Sequence, residues 1–396
     1  MAVMDPPRSN PPSVSLINDP KFRAIVYQVV VAVLVVAFFV WIAQNTIENL
    51  TAQRKSTGFD FLFRTAGFNV SFSLFPFDRD SFYWEAFLVG LTNTLLVSAI
   101  AIFFATILGF TIGVARLSSN WIIARGATLY IETIRNIPLL LQLFFWYFAV
   151  LKAMPSVKQS YVFLGNFVLN QRGLYVPKPL PGEQFSWVLA AAGIAVIAGI
   201  AMKIWAKRRL DATGKRFPVL LTFIALLVAL PLLAWLTSGA SLAFDMPELA
   251  GFNYRGGVYL PPELVALTWG LSIYTAAFIA ETVRAGILSV SHGQTEAAQS
   301  LGLREGDRLR LVVIPQAMRV IIPPLTSQYL NLTKNSSLGA AIAFPELVSV
   351  FTGTTLNQTG KAIEVISLTM LVYLTISLSV SALMNIYNAR VALVER

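Results

Sequence analysis

Cysteine is absent from all 396 residues, which removes disulfides, thiolate metal sites and cysteine nucleophiles together. Only one histidine occurs, His292, so a histidine-based metal centre or a Ser-His-Asp triad has nothing to be built from. Charge is scarce as well: 13% of residues are charged against 56% hydrophobic, and the mean hydropathy is +0.66. A soluble domain of this length is not that apolar. The phosphate-binding pattern G-x-x-x-x-G-K-[ST] is missing, since Gly360-Lys361 has neither the upstream glycine nor the following Ser or Thr. The net charge of +10 does not indicate nucleic acid, because the basic residues fall in short runs between apolar segments instead of forming one aromatic-studded surface. The composition is that of an integral membrane protein.

Residues 1 to 20 are rich in Pro, Ser and Asn, carry Asp5 and Asp19, and lack the apolar core and cleavage site of a signal peptide. They read as a disordered cytoplasmic tail. An uninterrupted apolar run at 24 to 45 is long enough to cross a bilayer. Further spans are expected at about 86 to 114, 127 to 151, 185 to 206, 217 to 238, 263 to 287, 320 to 344 and 362 to 388, which makes about eight. The stretch at 46 to 84, with Phe59, Phe61, Phe63, Phe75, Phe77, Phe82, Tyr83 and Trp84, reads as an interfacial segment on the outer leaflet. Threading from a cytoplasmic start leaves 18 Lys and Arg inside and 10 outside, with Arg135 and Lys334 within spans. That bias, firmest at Lys207-Arg208-Arg209 and Lys215-Arg216, puts both termini in the cytoplasm.

One polar, helix-forming island stands out: Glu296-Ala297-Ala298-Gln299-Ser300-Leu301-Gly302, followed after a basic run by Val312-Val313-Ile314-Pro315-Gln316-Ala317. Good helix formers, a glycine that can end a helix left-handed and a restart at Leu303 predict a short helix, a break and a second helix. The small residues let another surface approach closely. Glu-Ala-Ala, three residues, Gly, nine residues, an aliphatic, one residue, an aliphatic and Pro resembles the EAA loop of bacterial ABC importer membrane subunits, with Val312 and Ile314 as conservative departures. Four more stretches, Gly90 to Leu96, Ile134 to Gln142, Ala280 to Ile287 and Leu332 to Leu338, are similar to the polar amino-acid branch of those permeases, the histidine and glutamine permease type. Together these cover roughly residues 86 to 390. Long chains of this plan look like the Q-type membrane subunits of general L-amino acid importers and of glutamate/glutamine/aspartate/asparagine importers.

The resemblance implies an all-α membrane protein of the type I ABC importer fold, with a five-helix core plus an extra N-terminal helix and an inserted helical hairpin. On that plan residues 1–20 are the tail and 21–85 the extra helix with its interfacial segment. Residues 86–390 are the permease domain, with the insert at about 185–238, facing lipid, and the EAA loop at about 289–319. It implies no catalysis by this chain: ATP and Mg are bound by a partner ATPase dimer. Ser291-His292-Gly293-Gln294 is similar only to the tail of an ABC signature and lacks its leucine and second glycine. The other implied partners are a second, related permease subunit in a heterodimer, a periplasmic amino-acid-binding protein and membrane lipid, in the bacterial inner membrane. Glu296, Ala297, Ala298, Gly302 and Pro315 are assigned to coupling with the ATPase, and Arg304, Arg308 and Arg310 read as solvated or headgroup charges. An ion-gradient-driven amino-acid carrier is the alternative, but it predicts two related halves with broken helices, and no internal repeat is found.

A path for polar amino acids needs groups that replace water at depth. Arg135 falls about eight residues into the third expected span. Pro138 removes an amide donor there and leaves the Ile134 carbonyl unpaired within a helix. Gln142 follows at i+7 from Arg135 on the same helical face. On the seventh span Gln328, Asn331, Lys334 and Asn335 fall mostly along one polar stripe, with Lys334 the first candidate for a substrate carboxylate and Arg135 the second. The alternative for both is neutralisation by an acid within the bundle. The tetrad Glu132-Thr133-Ile134-Arg135 recurs as Glu281-Thr282-Val283-Arg284, so Glu132, Glu281 and Arg284 are candidates for a gate or for structural ion pairs, within or across helices.

Overall fold

The computed structural model describes residues 20–52, 58–215 and 217–391. The expected disordered tail therefore lies outside the described residues except for Pro20, as does Arg216 of the basic cluster. Seven helices among the described residues are long and apolar enough to cross a membrane, or eight if one bent pair counts as a single span.

The core is a parallel pair, α2 (Tyr83–Ala115) and α7 (Pro262–Leu288). Each start is chemically marked. The Glu85 carboxylate accepts the Phe82 amide at 2.7 Å at the head of α2, and Pro262 occupies the first turn of α7. Close packing rather than water exclusion holds such helices together in lipid, and the sequence supplies it through Gly109 and Gly113. A Cβ on Gly109 would meet Ile279 Cγ2 at 2.5 Å, and one on Gly113 would meet the Ala280 carbonyl at 2.6 Å. Opposite them α7 buries Leu267, Leu271, Ile279 and Val283.

The third expected span does not run straight. It is α3 (Trp121–Asn136), capped by Asn120 Oδ1 on the Ile122 amide at 3.0 Å, then α4 (Leu139–Phe144) and a wide-turn segment to Leu151. The two halves are bent by 106° at Ile137-Pro138. Proline explains the break, because residue 138 has no amide to donate and forces extended backbone on Ile137.

The insert contains more than a hairpin. α5 (Phe185–Thr213) and α6 (Val219–Ser238) are the two expected helices. Around them lie eight short strands that were not expected: β1 (Tyr161–Phe163), β2 (Phe167–Asn170), β3 (Gly173–Val176), β4 (Lys178–Pro181), β5 (Leu242–Asp245), β6 (Glu248–Ala250), β7 (Asn253–Arg255) and β8 (Val258–Leu260). They pair antiparallel as β1-β2-β3-β8, β4-β5 and β6-β7. The register Lys178↔Asp245 through Pro181↔Leu242 brings both ends of the hairpin to one point. α1 (Pro20–Ala52) and α6 are exposed along most of their length, as lipid-facing helices would be.

After α7 come α8 (His292–Ser300), α9 (Glu305–Arg308), a wide-turn segment and α10 (Ile314–Asn335), which returns antiparallel to α7. Gly286 of α7 packs on Ile321, and Tyr329 bonds Thr106 of α2 at 2.8 Å. A tight turn at 336–342 then leads to Pro345-Glu346-Leu347, which docks on α2. Asn93 Nδ2 donates to the Pro345 carbonyl at 2.9 Å and Thr94 Oγ1 accepts the Leu347 amide at 3.1 Å. The buried Glu346 carboxylate accepts the Val348 and Ser349 amides at 2.8 and 2.7 Å, heading the segment that ends in α11 (Leu356–Thr359). α12 (Ala362–Val391) closes the described chain.

The aromatic stretch before α2 is only partly outward-facing. Phe59, Phe63, Phe82 and Trp84 are exposed, whereas Phe61 and Tyr83 are buried with Leu347, Phe351 and Val365. Those two rings fasten the segment to the core.

Candidate functional site

Three features occupy places that functional groups of a membrane protein take: an exposed loop, a polar pocket and a chain of ion pairs.

The loop folds as helix, break and helix. α8 ends where Gly302, at φ +72°, donates its amide to Gln299 O at 2.8 Å, and Leu303 donates to Ala298 O at 3.2 Å. A left-handed residue at this position favours glycine. Ala298 is buried beneath the turn, whereas Glu296, Ala297 and Gly302 face outward and Leu301 is 81% exposed. His292 Nδ1 and Glu296 Oε1 lie 2.9 Å apart on the exposed face. Pro315 sits where the wide-turn segment Leu309–Val313 runs without a break into α10, so its missing amide falls at the change of helical turn. Arg304 and Arg310 are exposed, but Arg308 is not a free surface charge: its side chain is 16% exposed and pairs with Glu305 at 3.2 Å. The segment turns Arg308 inward, which a reading of local charge alone does not register.

The polar pocket, about 340 Å³, lies between α7 and α10 and is lined by Tyr274, Thr275, Phe278, Gln328, Asn331 and Asn335. That volume suits a small molecule (sites run about 300–1,000 Å³). Three of the four residues on the expected α10 stripe meet there. Lys334 does not: it opens into a separate cavity against α12. At about 100° per residue, position 334 is turned some 60° from Asn331, enough to pass the ridge of the helix. Arg135 reaches the pocket's edge, with its guanidinium 5.1 Å from the Phe278 ring centroid.

Gln142 is not on a shared face with Arg135, because the bend at Pro138 ends that helical register. It is buried instead, and its Nε2 donates to both the Ile134 and Ile137 carbonyls at 2.9 Å. The carbonyl orphaned by Pro138 is thus satisfied from within the chain.

The repeated tetrads are joined by a residue that sequence reasoning did not single out. Arg116, at the end of α2, pairs with Glu281 at 2.5 Å and approaches Glu132 at 3.8 Å. Arg284 completes the chain on Glu281 at 2.6 Å. Pairing within the first tetrad is not what links it; the links run across α2, α3 and α7. Arg116 is separated from Glu281 by 165 positions, so spacing carries no trace of the pair. Tyr274 and Phe278 were also missed, since aromatics at i and i+4 on an apolar helix look like packing.

Relatives cover the chain almost end to end. It is 51% identical over 378 residues to the putative amino-acid ABC transporter permease protein YhdX of Escherichia coli, across 96% of both chains. It is 50% identical over 382 residues to the general L-amino acid transport system permease protein AapQ of Rhizobium johnstonii, across 96% of this chain and 95% of that one. The glutamate/glutamine/aspartate/asparagine transport system permease protein BztB of Rhodobacter capsulatus is 41% identical over 427 residues, across 99% of both. The family model described as binding-protein-dependent transport system inner membrane component matches residues 191–393. With a matched loop, a polar core and membrane-spanning helices in one chain, the protein belongs to the family of binding-protein-dependent transport system inner membrane components.

Proposed function

We propose that this chain is the permease subunit of an ATP-driven ABC importer for polar L-amino acids, of the type I plan, and that it moves substrate without catalysing a reaction. The ion-gradient alternative falls with the family membership. Substrate arrives from a soluble binding protein and crosses beside the pocket of Gln328, Asn331 and Asn335. Side-chain amides both donate and accept, so they can replace water around an ammonium and a carboxylate alike. Arg135 at the pocket's edge adds a cation for the carboxylate. ATP and Mg are held by a partner ATPase dimer. Both termini are cytoplasmic in the inner membrane, and residues 86–390 form the transport domain, with a second, related permease subunit completing the path.

The observation that carries this reading is the exposed turn from Glu296 to Gly302, where small residues and the projecting Leu301 offer a soluble partner a close fit. Glu296, Ala297 and Gly302 make the contact, Ala298 anchors the turn and Pro315 marks the join through which the pull reaches α10. Closure of the ATPase pulls on this turn and shifts α10, which carries the pocket's amides. Arg116, Glu132, Glu281 and Arg284 brace the neighbouring helix ends while α10 moves. The test uses the assembled complex in liposomes with its binding protein. Gly302→Val and Glu296→Arg are each expected to cut uptake at least tenfold while ATP hydrolysis persists. Uptake at normal rates in both variants would overturn the coupling role.

A further inference from the structure

We propose that Lys334 marks the face on which a second permease subunit sits, and that this subunit brings a carboxylate to it; the inference rests on the reading of the chain as one of a pair. Lys334 is exposed and has no ion pair among the described residues. It lies 15 residues beyond Arg319 on α10, about 22 Å along the helix. The cavity it opens into, about 410 Å³, is formed with Ser337, Thr352, Thr369 and Tyr373 among apolar side chains. The hydroxyl protons there already have acceptors within the chain. Ser337 donates to the Lys334 carbonyl at 2.8 Å, Thr352 and Thr369 bond each other at 3.1 Å, and Tyr373 donates to Glu346 at 3.3 Å. Lys334 supplies the charged group of this cavity, and among the described residues its ammonium has no ion pair.

What neutralises it follows from the walls. The surrounding surface is apolar, with Ile366 40% and Met370 67% exposed, so a bare lipid tail would leave a charge without a partner. A free amino acid would bring an ammonium as well as a carboxylate, and no carboxylate lines the cavity to receive that second cation. A carboxylate on an apolar body satisfies both conditions, as an Asp or Glu on a transmembrane helix of another subunit does. The face is therefore an interface, separate from the amide-lined pocket on the other side of the α10 ridge.

The test uses the complex purified from its own host through a tag on this chain and placed in liposomes. Dicyclohexylcarbodiimide, which joins a lysine amine to a carboxylate in contact, is expected to link Lys334 to an Asp or Glu of a second polypeptide, as read by peptide mass spectrometry, with Lys334→Arg as the blank. Lys334→Met is expected to lower recovery of the second permease subunit roughly tenfold or more, as removing one partner of a desolvated pair does. Lys334→Arg restores recovery, and the KM for uptake in what still assembles stays within twofold. A link confined to Glu346 of the same chain, no link at all, or a Lys334→Met complex that assembles fully with KM raised tenfold overturns the proposal, the last by making Lys334 a substrate ligand. If the wild-type complex contains no second permease subunit, the paired reading itself fails, and the proposal with it.

Discussion

Gln142 sits where a broken helix has lost its own hydrogen bonds, and one side-chain amide supplies both missing donors. Gln142→Leu keeps the approximate volume but strands the Ile134 and Ile137 carbonyls. A fully buried unsatisfied acceptor costs about 1–3 kcal/mol and these two are part-buried, so a fall in the thermal unfolding midpoint in detergent is expected, with the KM for uptake unchanged in the surviving protein. A changed KM at wild-type stability would return Gln142 to the substrate path. Glu281 and Glu132 make a second contrast. Glu281 holds two guanidiniums, whereas the Glu132 side chain is 64% exposed and, among the described residues, pairs with Arg116 alone at 3.8 Å. Glu281→Gln is expected to destabilise clearly, and Glu132→Gln by no more than about 1 kcal/mol in the isolated chain, measured by the same unfolding assay. At this scale the sequence showed part of the chemistry: that Pro138 would orphan a carbonyl was readable from its missing amide. That Gln142 would repair it was not, because the i+7 reading assumed a helix running through the proline. Where Lys334 falls was not readable for a related reason, since a stripe defined by spacing does not say which side of a ridge each member takes.

Between elements, the most extensive joint is α2 against α7, and it depends on two positions without side chains. Gly113→Ala drives a methyl into the Ala280 carbonyl and Val283, and since neither can retreat along a packed helix, an overpacking cost of about 1–3 kcal/mol is expected. Gly126 of α3 is the control. Nothing lies within 4 Å of a Cβ there, so Gly126→Ala is expected to be neutral or to gain up to about 1 kcal/mol of helix propensity. Comparing the folded fraction of the two variants by size-exclusion profile checks both, and equal behaviour would refute the joint. Neither the Gly-x-x-x-Gly spacing nor its partner helix was singled out in the sequence, because close approach of two helices leaves no local signal beyond small residues. The spans themselves were legible because twenty apolar residues have few other uses. The strands of the insert were not, being three or four residues long, with β3-β8 and β4-β5 paired across the hairpin. Their register depends on contacts some 80 positions apart, such as Tyr259 with the Arg172 carbonyl at 2.9 Å.

At the scale of the whole molecule, the insert is built so that its helices can be removed. α5 and α6 pack on each other, with Phe223 seated against Gly199 so closely that a Cβ there would lie 2.1 Å from the ring. The chain leaves and rejoins the rest of the protein at a single point, where Gly182 donates its amide to Ser241 O at 3.0 Å. Replacing residues 185–238 by four to six Gly and Ser residues therefore asks the linker to span only a turn, and closing so short a loop costs little. β4 and β5 keep their register because their pairing does not pass through the helices. The shortened protein is expected to insert, to keep its α2–α7 core and to take up substrate within about threefold of the full chain when assembled with its ATPase. Uptake lost while the complex still forms would make the hairpin part of the transport cycle. Loss of the folded core itself would mean that these exposed helices brace it, contrary to their packing mainly on each other.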